Sequence, residues 1–418
     1  MILFRAKSMN FFIMLMLVFS TGGLFFVFNR NYAYLLLVVM IFFSMIYNMH
    51  SIKKAEVHSS LLTFILVSFL FLINFLSAPV EQSARKYLFF GIIIFSTIFT
   101  LFYFNNQSVE KLFLSNLYKV LKLILYYSLI SFGVYFLVKD QLFLITSEYH
   151  ESLTFNYLFY YSPKEESVFN LFGIDFHRNA GVFWEAGILQ AYLNILFFLE
   201  LSYFNKDKKL LALILLGVLT TYSTTGLALI IVQIVYFLRK EVKNNIVTVI
   251  FFTLLFPLYF LLTTNINEKV NGENESSFQK RLFDLTQPFF IAIENPLNGI
   301  GLDLDRFNEV REEFYMGTSI RNSLRDFGIE QTVDTTSKGS TNSVMYLLAG
   351  MGFPVTILFI WMLFKQNIVK QNRWLWFLLT FIIAMSEPLL LRPFFLIFIV
   401  SGFTHYFHRI TSHKQQLA

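Results

Sequence analysis

The chain has 418 residues, 56% hydrophobic and 14% charged, with a formal net charge of +6. Soluble domains carry about 25% charged residues, so the balance excludes an ordinary soluble fold and fits a polytopic membrane protein. Cysteine is absent, which excludes disulfides, thiolate catalysis and cysteine-held metals, and no Lys/Arg run of the kind that binds nucleic acid is present.

The N-terminal stretch MILFRAKSMNFFIMLMLVFSTGG has a basic start and an apolar run but no A-x-A-like cleavage site. It reads as a retained first span. Apolar runs at 9–28, 32–47, 61–76, 87–104 and 120–138 make a five-span bundle over 1–138. A long loop follows over 139–185, rich in aromatics such as Phe155, Tyr161, Phe169 and Phe176. Spans at 186–204, 210–222, 224–238 and 246–263 form a four-span segment over 186–263, its middle pair being one apolar stretch turned at 223–226 within TTYSTTG. A second long loop covers 264–341. It opens on the polar NINEKVNGENESS, continues as an amphipathic helix over 278–293 suited to the bilayer surface, and includes a charged helix near DRFNEVREEFY. Spans at 343–364, 374–386 and 394–407 complete a three-span segment over 342–418. The expected fold is an all-α polytopic membrane protein of about 12 transmembrane helices, with two long outer loops carrying short amphipathic helices.

An even number of spans puts both termini on one side. With a cytoplasmic N-terminus, most Lys and Arg fall in inner loops, and the short outer loops hold only Arg30, Arg85, Lys86 and Arg392, as the positive-inside rule requires. Both long loops then face outward. The spans are almost bare of ionisable groups, with Glu200 near an inner end and Glu387 and Arg392 at an outer edge. Ion-driven transporters keep such groups at mid-span, so chemistry is expected at the outer interface.

The segment HRNAGVFWEAG, where the first long loop meets a span, holds His177, Arg178, Trp184 and Glu185. Arg178 joins Arg281, Arg306, Arg311, Arg321 and Arg325 in the outer loops. A guanidinium grips phosphate with two parallel hydrogen bonds and keeps its charge; the alternative is pairing with nearby acids such as Glu309, Glu312, Glu313 and Asp326, or with lipid headgroups. Glu185 opens a helix, where a carboxylate suits the dipole; it is either a cap or a general base toward an acceptor hydroxyl. Trp184 and its aromatic neighbours suit the apolar faces of sugars, or simply a membrane interface. His177 titrates near neutrality or is structural. DLD at 303–305 has a D-x-D form but lacks the strand–helix setting of a nucleotide-sugar site, EYHE at 148–151 has no recognised ligand spacing, and GIG at 299–301 reads as a tight turn.

Four stretches in order resemble the bacterial O-antigen polymerase family, within the O-antigen ligase and polymerase superfamily: RNAGVFWEAG, LLGVLTTYSTTGLALII, ENPLNGIGLD and STNSVMYLLAGMGFPVTILFI, together covering roughly 140–365. The resemblance implies a metal-independent, cofactor-free membrane glycosyltransferase of the bacterial inner membrane. Its donor and acceptor would be undecaprenyl-pyrophosphate-linked oligosaccharides, with membrane lipid and a chain-length regulator as partners and no nucleic acid. It assigns the pyrophosphate to Arg178 and leaves the base unassigned; from the residues themselves, one or more of Arg281, Arg306, Arg311 and Arg392 are expected to assist Arg178, and Glu185 is expected to be the base. Asn342, which leads the fourth stretch, joins Trp184 and His177 as a substrate-binding candidate. Ligases of the superfamily place a histidine just before the Asn-led span and often an arginine in the Ser/Thr-Gly turn; Thr341 and Ser223–Thr224–Thr225–Gly226 stand there here, which favours a polymerase. The alternatives are a ligase or oligosaccharyltransferase moving glycan to lipid A–core or protein, and a lipid-linked oligosaccharide flippase. Accessibility labelling is expected to find 139–185 and 264–341 outside the cytosol; labelling from the cytosolic side would overturn this topology.

Overall fold

The computed structural model describes residues 2–24, 52–107, 109–147, 150–163, 168–171, 174–238, 275–313 and 340–417, with single positions between 38 and 46 and at 322 and 325. The expected span at 246–263, most of that at 32–47, the polar start of the second loop, Glu148, Tyr149 and Arg321 lie outside these residues. In chain order the helices are α1 (Ile2–Phe19), α2 (Lys54–Ser77), α3 (Ala84–Asn106), α4 (Val109–Val138), α5 (Ala186–Tyr203), α6 (Lys208–Thr221), α7 (Thr224–Leu238), α8 (Glu275–Glu294), α9 (Leu304–Glu313), α10 (Ser343–Lys365), α11 (Arg373–Ser386) and α12 (Pro393–Leu417). Among the described residues five helices are long and apolar enough to cross a membrane: Lys54–Ser77, Ala84–Asn106, Leu112–Gln141, Ala186–Tyr203 and Ser343–Lys365. Ser8–Phe19, Thr224–Leu238 and Arg373–Ser386 are shorter apolar helices.

The chain divides into two compact units. The first takes Met1–Leu36, Lys111–Asn274 and Lys370–Ile383. Its centre is α5, buried continuously from Ala186 to Glu200. A helix buried all round has to be apolar or to satisfy its polar groups internally; α5 is mostly apolar and pairs Asn194 and Glu200, while Gln190 Nε2 is buried without a hydrogen-bond partner. Asn194 Nδ2 donates to the Gln190 carbonyl (3.0 Å) and Gln233 Nε2 donates to Asn194 Oδ1 (2.9 Å). The Tyr118 hydroxyl and the Asp207 amide donate to the two oxygens of Glu200 at 2.7 and 2.6 Å. Helices α6 and α7 lie against α5 at glycines: a Cβ on Gly226 would sit 2.9 Å from the Gln190 side chain. The expected turn between two short helices is present, with Asp207 capping the start of α6 and Tyr222 ending it in the left-handed region (φ 48°).

The loop before α5 departs from the expectation of short helices. It folds as β1 (Phe143–Thr146), β2 (Glu151–Phe155) and β3 (Phe159–Tyr161) in an antiparallel sheet, then a hairpin of β4 (Val168–Leu171) and β5 (Ile174–His177). Stretches such as FLIT and FYY are aromatic and β-branched, residues that suit a pleated surface, and a chain outside the helices still has backbone groups to pair. The β2–β3 turn places Asn156 and Tyr157 at φ 49° and 56°, the hand that matches strand twist in a tight hairpin.

The second unit takes Leu37–Glu110, Glu275–Val369 and Ala384–Ala418. Helix α10 departs from helical geometry at Gly352 (φ 75°, ψ 176°), two residues before Pro354. The carbonyls freed just before the break accept hydrogen bonds from ENPLNGIGLD: the Ile300 amide donates to the Ala349 carbonyl (2.8 Å) and the Gly301 amide to that of Gly350 (2.9 Å), while the Phe353 amide donates back to Pro296 (2.9 Å). Asn74, buried on α2, donates to the carbonyls of Asn298 (2.6 Å) and Gly350 (2.7 Å). The Tyr87 hydroxyl donates to Asn74 Oδ1 and receives the Leu302 amide (2.9 Å). The GIG turn is therefore a plug whose two glycines leave no room for a side chain. Gly299 and Gly301 have φ 64° and 98°, and a Cβ on Gly301 would lie 2.1 Å from Gln82. The expected amphipathic helix is α8, which buries Phe283, Asp284, Gln287, Ile291 and Ala292 and exposes Leu285, Phe289 and Ile293. The expected charged helix is α9. Ile291, Ile300, Phe307 and Ala349 form a core joining α8, the plug, α9 and α10.

Gly301→Ala combines a left-handed backbone with a clash and is expected to cost at least about 2 kcal/mol. Gly91→Ala in α3, where a Cβ meets nothing within 4 Å, is expected to be neutral or stabilising by up to about 1 kcal/mol. Thermal midpoints of the two variants in detergent check the contrast.

Candidate functional site

In the first unit, β5 ends at His177 and residues 178–185 lead into α5. Arg178 Nε donates to the carbonyl of Thr221, the last residue of α6 (3.0 Å). A cation is favoured at a helix C-terminus, where unpaired carbonyls concentrate partial negative charge. Asn179 fastens the same junction. Its amide donates to the Thr220 carbonyl (3.0 Å), and its Nδ2 donates to the Ser128 carbonyl and Thr220 Oγ1 (3.0 Å each). Its Oδ1 accepts the Gly181 amide (3.1 Å). Gly181 is left-handed (φ 58°), and a Cβ there would lie 3.2 Å from Ser128. The Arg-x-x-Gly spacing is thus a clamp that holds Arg178 against the α6 terminus.

Around the clamp, Phe169 of β4 stacks on Tyr222 at 4.1 Å with the rings 2° from parallel, and on Phe176 of β5 at 5.5 Å. The His177 ring meets Tyr135 edge-on at 4.8 Å, and burial lowers its pKa below the ordinary histidine value. Phe183 is buried and stacks on Tyr192 (4.9 Å). Trp184 is half-buried, and its amide donates to the Gly22 carbonyl (3.4 Å). Glu185 occupies the N-cap of α5 in extended conformation, but its side chain is exposed and makes no capping hydrogen bond. Its carboxylate therefore does not close the helix end.

In the second unit the expected arginines part company. Arg311 is buried: its Nη2 donates to Asp284 Oδ1 (2.8 Å), its Nε donates to Gln287 Oε1 (2.6 Å), and its guanidinium lies 5.3 and 5.4 Å from the ring centres of Phe283 and Phe307. Burial lowers its pKa and Asp284 opposes that; a guanidinium stays charged in either case. Asp284 Oδ2 accepts both the amide and the hydroxyl of Thr341 (2.8 Å each). The next residue, Asn342, is buried and caps α10 by accepting the Met345 amide (3.0 Å). Arg311 and Asn342 are thereby brought to one place through Asp284 and Thr341. Arg281 lies half-buried on α8, one turn before Asp284, and Arg392 is exposed in the turn before α12. Arg306 lies on α9, paired with Glu309 at 2.7 Å.

Asp284, Gln287, Asn74 and Lys86 escape a reading of the sequence alone: on an amphipathic helix Asp284 resembles a solvated charge. Lys86 Nζ contacts Asp303 Oδ1 and Asp305 Oδ2 at 2.5 Å each. Burial would raise the Asp303 carboxyl, but Lys86 and the amides of Asp305 and Ser83 bring it below its usual value. The D-x-D therefore embraces a lysine. Among the described residues no group of three or more His, Asp or Glu side chains is placed to hold a metal ion.

Asp284→Ala would leave the Arg311 charge unpaired in the interior and is expected to cost about 3–5 kcal/mol. The double variant Asp284→Ala/Arg311→Met is expected to recover much of that loss, which thermal unfolding in detergent measures; equal midpoints for the single and double variants would contradict the ion-pair account.

Residues 210–360 match the family model described as O-antigen ligase. No curated protein and no solved structure matches the chain. The matched segment carries Thr221, Asp284, Arg311 and Asn342, while Arg178 and Glu185 precede it. That match, over about a third of the chain, supports a place in the O-antigen ligase and polymerase superfamily.

Proposed function

We propose that the protein is a polymerase of O-antigen or a similar surface polysaccharide, joining undecaprenyl-pyrophosphate-linked repeat units at the outer face of a bacterial inner membrane with both termini in the cytoplasm. Superfamily members are membrane glycosyltransferase-like enzymes that act on lipid-linked oligosaccharides. The observation that carries the reading is the clamp that fixes Arg178 to Thr221, inside the matched segment, by Nε at 3.0 Å. A guanidinium anchored in this way is preorganised for the donor pyrophosphate, and its orientation costs little on binding.

The acceptor hydroxyl oxygen attacks the anomeric carbon of the donor, and a new carbon–oxygen bond forms. The bond to the pyrophosphate breaks, its electron pair leaving with polyprenyl pyrophosphate. Glu185 takes the hydroxyl proton. The leaving group is already a stable anion, so it needs no general acid, and Arg178 stabilises the charge that grows on it. Arg281 and Arg392 are candidate phosphate-binding residues of the second unit, taken by themselves. Arg311 acts through Asp284 and Thr341 to set the start of α10. Trp184 and His177 belong to the sugar-facing surround of the clamp. The polymerase reading over the ligase one is supported by Thr341, whose hydroxyl is committed to Asp284 where the resemblance puts a histidine in ligases.

Arg178→Ala is expected to reduce the polysaccharide ladder to a single attached repeat unit, and Glu185→Gln to slow elongation by about 100-fold or more. Surface polysaccharide on a gel reads both, and a wild-type ladder in both variants at normal protein level overturns the assignment. A deletion strain that keeps one attached repeat unit supports a polymerase; one with no attached glycan indicates a ligase. Purified protein that moves the lipid-linked unit across liposomes without joining sugars indicates a flippase.

A further inference from the structure

At one end of the second unit, the turn between α2 and α3 faces the plug and the start of α9 across a cleft of about 430 Å³. That size is within the roughly 300–1,000 Å³ of small-molecule sites and exceeds the needs of an ion or a single water. Its ionisable lining is Glu81, Lys86, Asp303, Asp305, Arg306 and Glu309. We propose that this cleft is a binding site for an uncharged stretch of glycan, recognised through its hydroxyl groups. The identity of the ligand rests on the polysaccharide reading above; the existence of the site does not.

Four carboxylates face two cations, so the cleft repels phosphate and does not duplicate the arginine sites. A bare divalent cation is disfavoured too, because the Lys86 ammonium already lies between Asp303 and Asp305. What fits is a ligand whose groups both donate and accept. Sugar hydroxyls do so: they give hydrogen bonds to ionised carboxylates and take them from ammonium and guanidinium groups. Such charge-assisted bonds are the strong ones.

The walls are held in advance. Gln82 Nε2 donates to the carbonyls of Val80 (2.9 Å) and Ile300 (3.0 Å), and its Oε1 accepts the Asp303 amide (3.0 Å). Asp303 accepts the amides of Ser83 (3.3 Å) and Asp305 (3.0 Å). Against these fixed groups the side chains of Asp305 and Glu309 stay 77% and 54% exposed, so a ligand meets them without displacing protein. The position of Lys86 adds to the case. It is in the first turn of α3, which carries no acid, and a cation there opposes the helix dipole. The bridge to the two aspartates offsets that cost and sets an ammonium at the cleft wall.

The test uses the full-length protein in detergent and lipid-free repeat-unit oligosaccharide released from the host's own surface polysaccharide. Saturation-transfer NMR and titration are expected to show binding that inorganic pyrophosphate does not displace. The exposed double variant Asp305→Asn/Glu309→Gln is expected to weaken that binding about tenfold or more while its thermal midpoint stays near wild type. Lys86→Gln serves as a second variant with the same expected direction. No binding to wild type, equal binding by the variants, displacement by pyrophosphate, or binding that a chelator abolishes would each overturn the proposal. Binding is read without turnover, so a failed elongation assay with intact glycan binding strikes the polymerase reading alone.

Discussion

A helix interrupted within an apolar surrounding leaves carbonyls that no solvent can satisfy, so the protein has to answer them from another part of its own chain. In the second unit that demand arises at Gly352 of α10. The plug from Pro296 to Leu302 answers it with two backbone amides, and Asn74 adds a side-chain amide. Everything near the plug follows from this fit. The glycines are there because backbone approaches backbone, Tyr87 and Gln82 are recruited to pair the plug's remaining polar groups, and α8 and α9 are fixed at either side of it through the shared core of Ile291, Ile300 and Phe307.

The first unit solves a related problem at the end of α6. Its last carbonyls, at Thr220 and Thr221, accept from the Asn179 amide and from Arg178 Nε. A helix terminus is thereby closed by the residue proposed to meet the donor phosphate. The same hydrogen bond also holds the guanidinium in place, and the stack of Phe176, Phe169 and Tyr222 joins the hairpin to the α6–α7 turn beside it. Structural economy and preorganisation coincide at Arg178.

The charges differ in what they are spent on. Arg311 is consumed by Asp284 and Gln287 and sandwiched by two rings, an arrangement whose value lies in fixing Thr341 and the start of α10. Lys86 is shared between two aspartates at a cleft that stays open to solvent. A formal charge count treats these groups alike. Burial separates them, since a paired charge in the interior holds structure while one at a cleft wall stays within reach of a ligand.

The sequence by itself determined where several of the helices lie. Long apolar runs have no alternative to a helix in a membrane, so the helices through 61–76, 87–104 and 120–138, the paired short helices about 223 and the amphipathic helix near 278–293 were all legible. So was the order of four loose stretches that resembles one superfamily, and the match over 210–360 supports it. Hydropathy says nothing of how a polar loop folds, because strand pairing depends on which partner each segment meets; the five strands between 143 and 177 are therefore not legible from it. Nor does it say which polar side chains are interior. Asp284, Asn74 and Lys86 look like solvated or scattered residues in a linear reading. Only the tertiary structure brings Arg311 to the first, a broken helix to the second and two carboxylates to the third, because the energy of each polar group is decided by the neighbours it meets after folding.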